Sequence, residues 1–186
     1  IQINELKKIK KIFNKSFIKA VDLILNCKGK IIFAGIGKSG LIARKISATF
    51  SSVGIPSFFC DPAQALHGDM GQIEKKDILI IFSYSGNTSE LTNMIKYANR
   101  YSIKIIGIAS KPDSILLKAS DIKLILPKVK ESDVTGMVPT SSTSITLLLG
   151  DCLATTIMRQ KKFSKEKFKI YHPGGNIGKT LLLAKD

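Results

Sequence analysis

Three hydroxyls around one glycine mark the place in this sequence where an anion would be held. Ser83-Tyr84-Ser85-Gly86-Asn87-Thr88 ends the apolar run 78–82 and opens a helical pattern over 88–101. A strand-to-helix turn of that make-up offers O–H and backbone N–H donors at the positive end of a helix. Gly86 lets the backbone come close without a side chain in the way. One Ser or Thr there would only cap the helix, whereas three around a glycine favour a compact dianion such as a phosphate monoester.

A second turn competes for the same role. Gly35-Ile36-Gly37-Lys38-Ser39-Gly40 follows the first apolar run, and Asp61 stands at the end of the second. Together they match a dinucleotide-binding fingerprint. A single domain is expected over these residues, without a second one to hold a hydride acceptor, and a pyrophosphate turn has no need of a lysine at its centre. The two histidines, His67 in Leu66-His67-Gly68-Asp69 and His172 in His172-Pro173-Gly174-Gly175, lie beside glycines and off any helical apolar stripe. No zinc-type spacing surrounds them, so no metal site is expected, and acid–base work is the chemistry they support. Glu90 follows the hydroxyl loop, Glu131 follows the fifth apolar run, and Pro139-Thr140-Ser141-Ser142-Thr143 puts further hydroxyls at a helix start. From the residues alone, those acids read as solvated and those hydroxyls as either a cap or part of a pocket.

The elements that must position these residues follow from periodicity. Apolar residues from Leu6 to Leu25 recur at helical spacing before Gly29, which predicts one long amphipathic opening helix. Five β-rich runs come next, at 31–34, 57–60, 78–82, 105–108 and 122–126, with helical patterns at 40–53 and 88–101. The central runs are apolar on both faces, as parallel strands covered by helices are. The expected fold is α/β: a doubly wound, flavodoxin-like sandwich around a five-stranded parallel sheet, in a single domain over 1–186. Ligands in such sheets bind beyond the carboxyl ends of the strands, where all the turns above lie. A last helix, about 140–159, is apolar on nearly every face and predicts burial against another subunit.

Composition narrows the partners. The formal charge is +15, yet 26 of the 29 basic residues are lysines spread along the chain, and Trp is absent. Nucleic-acid readers lean on arginine forks and interleaved aromatics, so a solvated lysine surface that steers an anionic substrate fits better. No apolar run has the length of a membrane span and the first residues carry no signal-peptide pattern. Three scattered cysteines point to a reduced, cytoplasmic protein.

Taken in order, Gly35–Gly40, His67-Gly68-Asp69, Ser83-x-Ser85-Gly86-x-Thr88, Pro139-Thr140-Ser141-Ser142-Thr143 and His172-Pro173-Gly174-Gly175 resemble the sugar isomerase (SIS) domain of D-arabinose-5-phosphate isomerases over nearly the whole chain. The resemblance implies interconversion of D-ribulose 5-phosphate and D-arabinose 5-phosphate, a step toward the Kdo sugar of lipopolysaccharide, with no cofactor. It implies that Ser39, Ser83, Ser85 and Thr88 hold the phosphate, with Thr140 and Ser141 nearby. Lys38, Glu90, Glu131 and His172 match catalytic positions and His67 a site histidine. Glu131 would carry the proton between C1 and C2, Lys38 would stabilise the enediolate oxygen, and His172 would act from a neighbouring subunit of a homotetramer. The stretch Glu131-Ser132-Asp133-Val134-Thr135-Gly136 departs from the family's Glu-Ala-Cys-Pro-Leu-Gly, and Tyr84 and Asn87 replace common Asn and Glu. Many members carry a CBS pair after the position of Leu183, where this chain is expected to end as a shorter form or an excised catalytic domain. The alternatives are an SIS domain that senses a phosphosugar without turning it over, and a dinucleotide-binding protein.

Overall fold

The computed structural model describes residues 1–174. The position of Leu183, where the chain is expected to end, lies outside them. Strands β1 (Ile31–Gly35), β2 (Ser57–Phe59), β3 (Ile78–Phe82), β4 (Lys104–Ala109) and β5 (Ile122–Ile125) form one sheet in the order β2-β1-β3-β4-β5. All four pairings are parallel. Pleating sends alternate residues of the apolar runs to opposite faces, which explains why β1 and β3 are buried at every position. On one face Ile31, Phe33, Ile80 and Phe82 pack under helices α2 (Lys15–Leu25), α3 (Lys38–Ser52) and α7 (Ser141–Gln160). On the other, Ile32, Ala34, Leu79 and Ile81 pack under α5 (Thr92–Arg100) and α6 (Ile115–Ala119). Short helices α1 (Gln2–Leu6), α4 (Pro62–Ala65) and α8 (Lys165–Tyr171) complete the set.

Three expectations change. The opening helix is not continuous: α1 passes into a 3-10 segment at Lys7–Ile12, and α2 begins only after Asn14. Asn14 adopts extended backbone and its side chain accepts from Ser16 N at 2.8 Å, so an N-cap interrupts the apolar stripe. The 88–101 pattern opens with a 3-10 turn at Ser89–Leu91 before α5. Helix α7 buries Ile145, Leu149, Leu153 and Ile157 within this chain, against α3, α1 and α2. Its apolar surface is therefore largely covered without a second subunit.

The strand order places the reversal of winding between β1 and β3, and crevices at such switch points receive ligands. The turns after those two strands are the two glycine-containing turns of the sequence. No helix among the described residues is long and apolar enough to cross a membrane.

Candidate active site

Gly40 brings α3 against β1: a Cβ there would lie 2.6 Å from Gly35 O. The first turn of α3 therefore projects Lys38 and Ser39 over the carboxyl end of the sheet, next to the hydroxyl loop after β3. That loop is self-bonded. Ser83 Oγ accepts from Gly86 N at 3.0 Å and shares a proton with Thr88 Oγ1 at 2.9 Å, while Ser85 Oγ accepts from Asn87 N at 3.3 Å. Ser83 is buried and organises the turn from behind; Ser85 is exposed and Thr88 half-buried, where their hydroxyls can meet an anion. Gly86 has φ +70°, and a Cβ on it would lie 2.5 Å from Ser114 Cβ. Its backbone thus closes on Ser114, and Asn87 Oδ1 fastens the loop to α6 by accepting from Ile115 N at 2.9 Å.

Glu131 arrives from the far side, after β5. Its Oε2 accepts from Thr140 N (2.8 Å), Thr140 Oγ1 (3.0 Å) and Ser142 N (3.2 Å), on the N-terminal turn of α7. Burial pushes this carboxyl upward, but bonds from Ser142, from the Thr140 hydroxyl and from two backbone amides outweigh it and hold the group below its ordinary value. The carboxylate is ionised and fixed. Asp133 leaves this arrangement alone: it gathers its own loop by accepting from Thr135 N (2.9 Å), the Thr135 hydroxyl and Val138 N (3.1 Å).

Lys38, Ser39 and Glu131 line one cleft of 480 Å³, closed by Ile36, Ile42, Tyr84, Val129, Met137 and the start of α7. The N-termini of α3 and α7 both face it, so the site favours negative charge. Thr140 lies beside it with its hydroxyl engaged twice, donating to Glu131 and accepting from Ser132 N at 2.9 Å. Ser141 is fully buried, and its Oγ is the buried side-chain oxygen without a partner among the described residues.

Other residues read from the sequence stand apart from the cleft. Glu90 is exposed, its carboxyl held low by its own backbone N–H and the Ser89 hydroxyl. His67 is exposed in the turn after α4. His172 caps the end of α8, its ring stacked on Phe168 at 3.8 Å and its Nδ1 2.8 Å from Phe168 O. The neighbouring Tyr171 lies against Gly54, beyond the C-terminal end of α3, whereas Lys38 begins that helix. Fifteen residues of helix separate the two by about 20 Å. Asp61, which a dinucleotide would require at a ribose, caps α4 by accepting from Ala63 N at 2.9 Å. No cluster of three or more His, Cys, Asp or Glu among the described residues could hold a metal ion. Sequence reasoning gave no role to Tyr84, Val129 and Met137. For Ser142 the signal was present, since a helix start rich in hydroxyls offers amides to a nearby acid.

A strand-order switch point, a hydroxyl turn after β3 and a carboxylate held by the N-terminus of α7 thus share one end of the sheet. A model of the SIS domain matches residues 24–156. The chain belongs to the SIS domain family. This SIS domain is 47% identical over 170 residues to an uncharacterized protein of Rickettsia prowazekii, which covers 91% of this chain and 53% of the relative. It is 41% identical over 178 residues to arabinose 5-phosphate isomerase KdsD of Escherichia coli (strain K12), covering 96% and 54%. The chain spans about half the length of the curated relatives it matches. Among solved structures, an E. coli CFT073 protein in complex with arabinose 5-phosphate superposes with TM-score 0.85 at 35% identity, covering 91% of this chain and 92% of that one.

Proposed function

We propose that this SIS domain is an aldose–ketose isomerase interconverting D-ribulose 5-phosphate and D-arabinose 5-phosphate, on the route to Kdo and lipopolysaccharide in the cytoplasm. The observation that carries the reading is the ionised Glu131, fixed on α7 and sharing a cleft with Lys38 and Ser39 beside the hydroxyl loop. The likeness to KdsD and to a structure holding arabinose 5-phosphate supports the choice of substrate.

Each residue takes a step. Ser39, Ser85 and Thr88 anchor the phosphate on a turn that Ser83 organises from behind, with Ser141 close by. Glu131 removes a proton from C1 of the ketose, and the electron pair moves onto the C2 oxygen to give a cis-enediolate. The Lys38 ammonium meets the charge that develops there. Glu131 then returns the proton to C2, while a second proton passes from O1 to O2 with His172 of the partner subunit as carrier. Hydrogen moves within one molecule, so the reaction consumes no oxidant and calls for no cofactor. Glu90 and His67 would complete the site in a homotetramer whose clefts lie at subunit contacts.

The test uses purified protein with D-ribulose 5-phosphate. Aldose should form, and Glu131→Gln should lower turnover by at least ~100-fold, within the usual worth of a general base. The same variant should keep the thermal stabilisation given by the phosphosugar. A wild-type chain that is stabilised by the sugar but does not convert it would establish the sensor instead.

A further inference from the structure

Between β5 and Glu131 the chain runs through 127–130, outside the strands of the sheet. Side chains from two distant segments take up its backbone groups. The Tyr84 hydroxyl donates to Pro127 O at 3.4 Å and accepts from Val129 N at 3.1 Å. Glu5 Oε2 accepts the next amide, Lys130 N, at 2.9 Å, and is paired with Lys8 Nζ at 2.6 Å. Lys8 Nζ also donates to Lys128 O at 3.3 Å. The base of the proposed reaction follows at once.

We propose that Tyr84 and Glu5 are positioning residues for the Glu131 carboxylate, a role that rests on the isomerase reading. Tyr84 belongs to the loop that would seat the phosphate, so its phenol makes the anchor and the base-bearing strap one mechanical body. Glu5 braces the strap from the other side. Its helix, α1, also reaches the α7 end of the site, where Gln2 Nε2 donates to Ser144 Oγ at 2.5 Å and to Thr140 O at 3.4 Å. Both side chains act on consecutive amides just ahead of Glu131, where loss of a bond lets the carboxylate drift without removing it. Drift of an ångström in a reacting group costs up to ~100-fold in rate.

Tyr84→Phe keeps the ring and deletes only the hydroxyl. Its kcat should fall about 10-fold with KM within about twofold, because the phosphate anchor remains. Amide exchange at Val129, read by NMR, should quicken. Glu5→Ala should do the same at Lys130, and Glu5→Gln, which keeps an oxygen acceptor, should recover most of the lost kcat. An unchanged kcat in Tyr84→Phe and Glu5→Ala overturns the role. So does a fall in kcat matched by a rise in KM and a lowered Tm, which marks general loosening. Wild-type protein without any turnover removes the isomerase reading and this role with it, whereas an active wild type with indifferent variants removes the role alone.

Discussion

Glu131 joins two properties that oppose each other in most carboxylates: it is partly buried, and it stays charged. Helix-terminal amides and the Thr140 hydroxyl make that possible. Because hydrogen bonds hold its folded pKa below its ordinary value, the ionised base is the form present at neutral pH. The acid limb of kcat/KM that belongs to this group should lie on the acid side of the ordinary glutamate range, and Thr140→Val should move it upward. A pH–rate profile whose only acid limb lies near 6 and ignores that substitution would reject Glu131 as the base. The sign for stability runs the same way. The contribution of these bonds is complete above the unfolded pKa and is lost as pH falls through the depressed folded one. Sequence made Glu131 visible only through its likeness to a family, since an acid in a polar loop has no signature of its own. Tyr84 and Glu5 were harder still, because their partners are backbone groups 43 to 125 positions away.

The hydroxyl loop shows what an element adds to its residues. Its glycine reads from sequence as room for a ligand, yet the structure also needs it for a left-handed φ and for contact with Ser114. Gly86→Ala should therefore lower stability, by ~1–2 kcal/mol for the backbone and ~1–3 kcal/mol for the crowding. Chemical denaturation measures this, and a loss under ~1 kcal/mol would mean that the loop has somewhere to move. The five strands were legible because apolar runs of that length bounded by glycines and polar turns leave few alternatives. Their winding matches the flavodoxin-like expectation, whereas their register was not legible, since pairing across 16 to 47 residues depends on crossovers that periodicity does not record. The break at Asn14 was missed for another reason: a capping residue inside an apolar stripe was outweighed by the stripe.

At the scale of the molecule, the cleft and His172 lie at opposite ends of the sheet. On the proposed mechanism the histidine that serves a cleft comes from another copy, which turns the proposed assembly into a functional statement. Glu131→Gln and His172→Ala should each be inactive alone and should regain activity when unfolded and refolded together, because mixed assemblies pair an intact carboxylate with an intact histidine. Mixtures that stay silent would leave His172 outside the chemistry. The turn after β3 and the segment after β5 are held apart by β4, bonded to both strands. Two inter-strand spacings amount to roughly 10 Å, a span fixed by backbone hydrogen bonds. Substitutions in either turn can alter what is gripped at each end. The distance between the grips is a property of the sheet, and the sheet works as a gauge block.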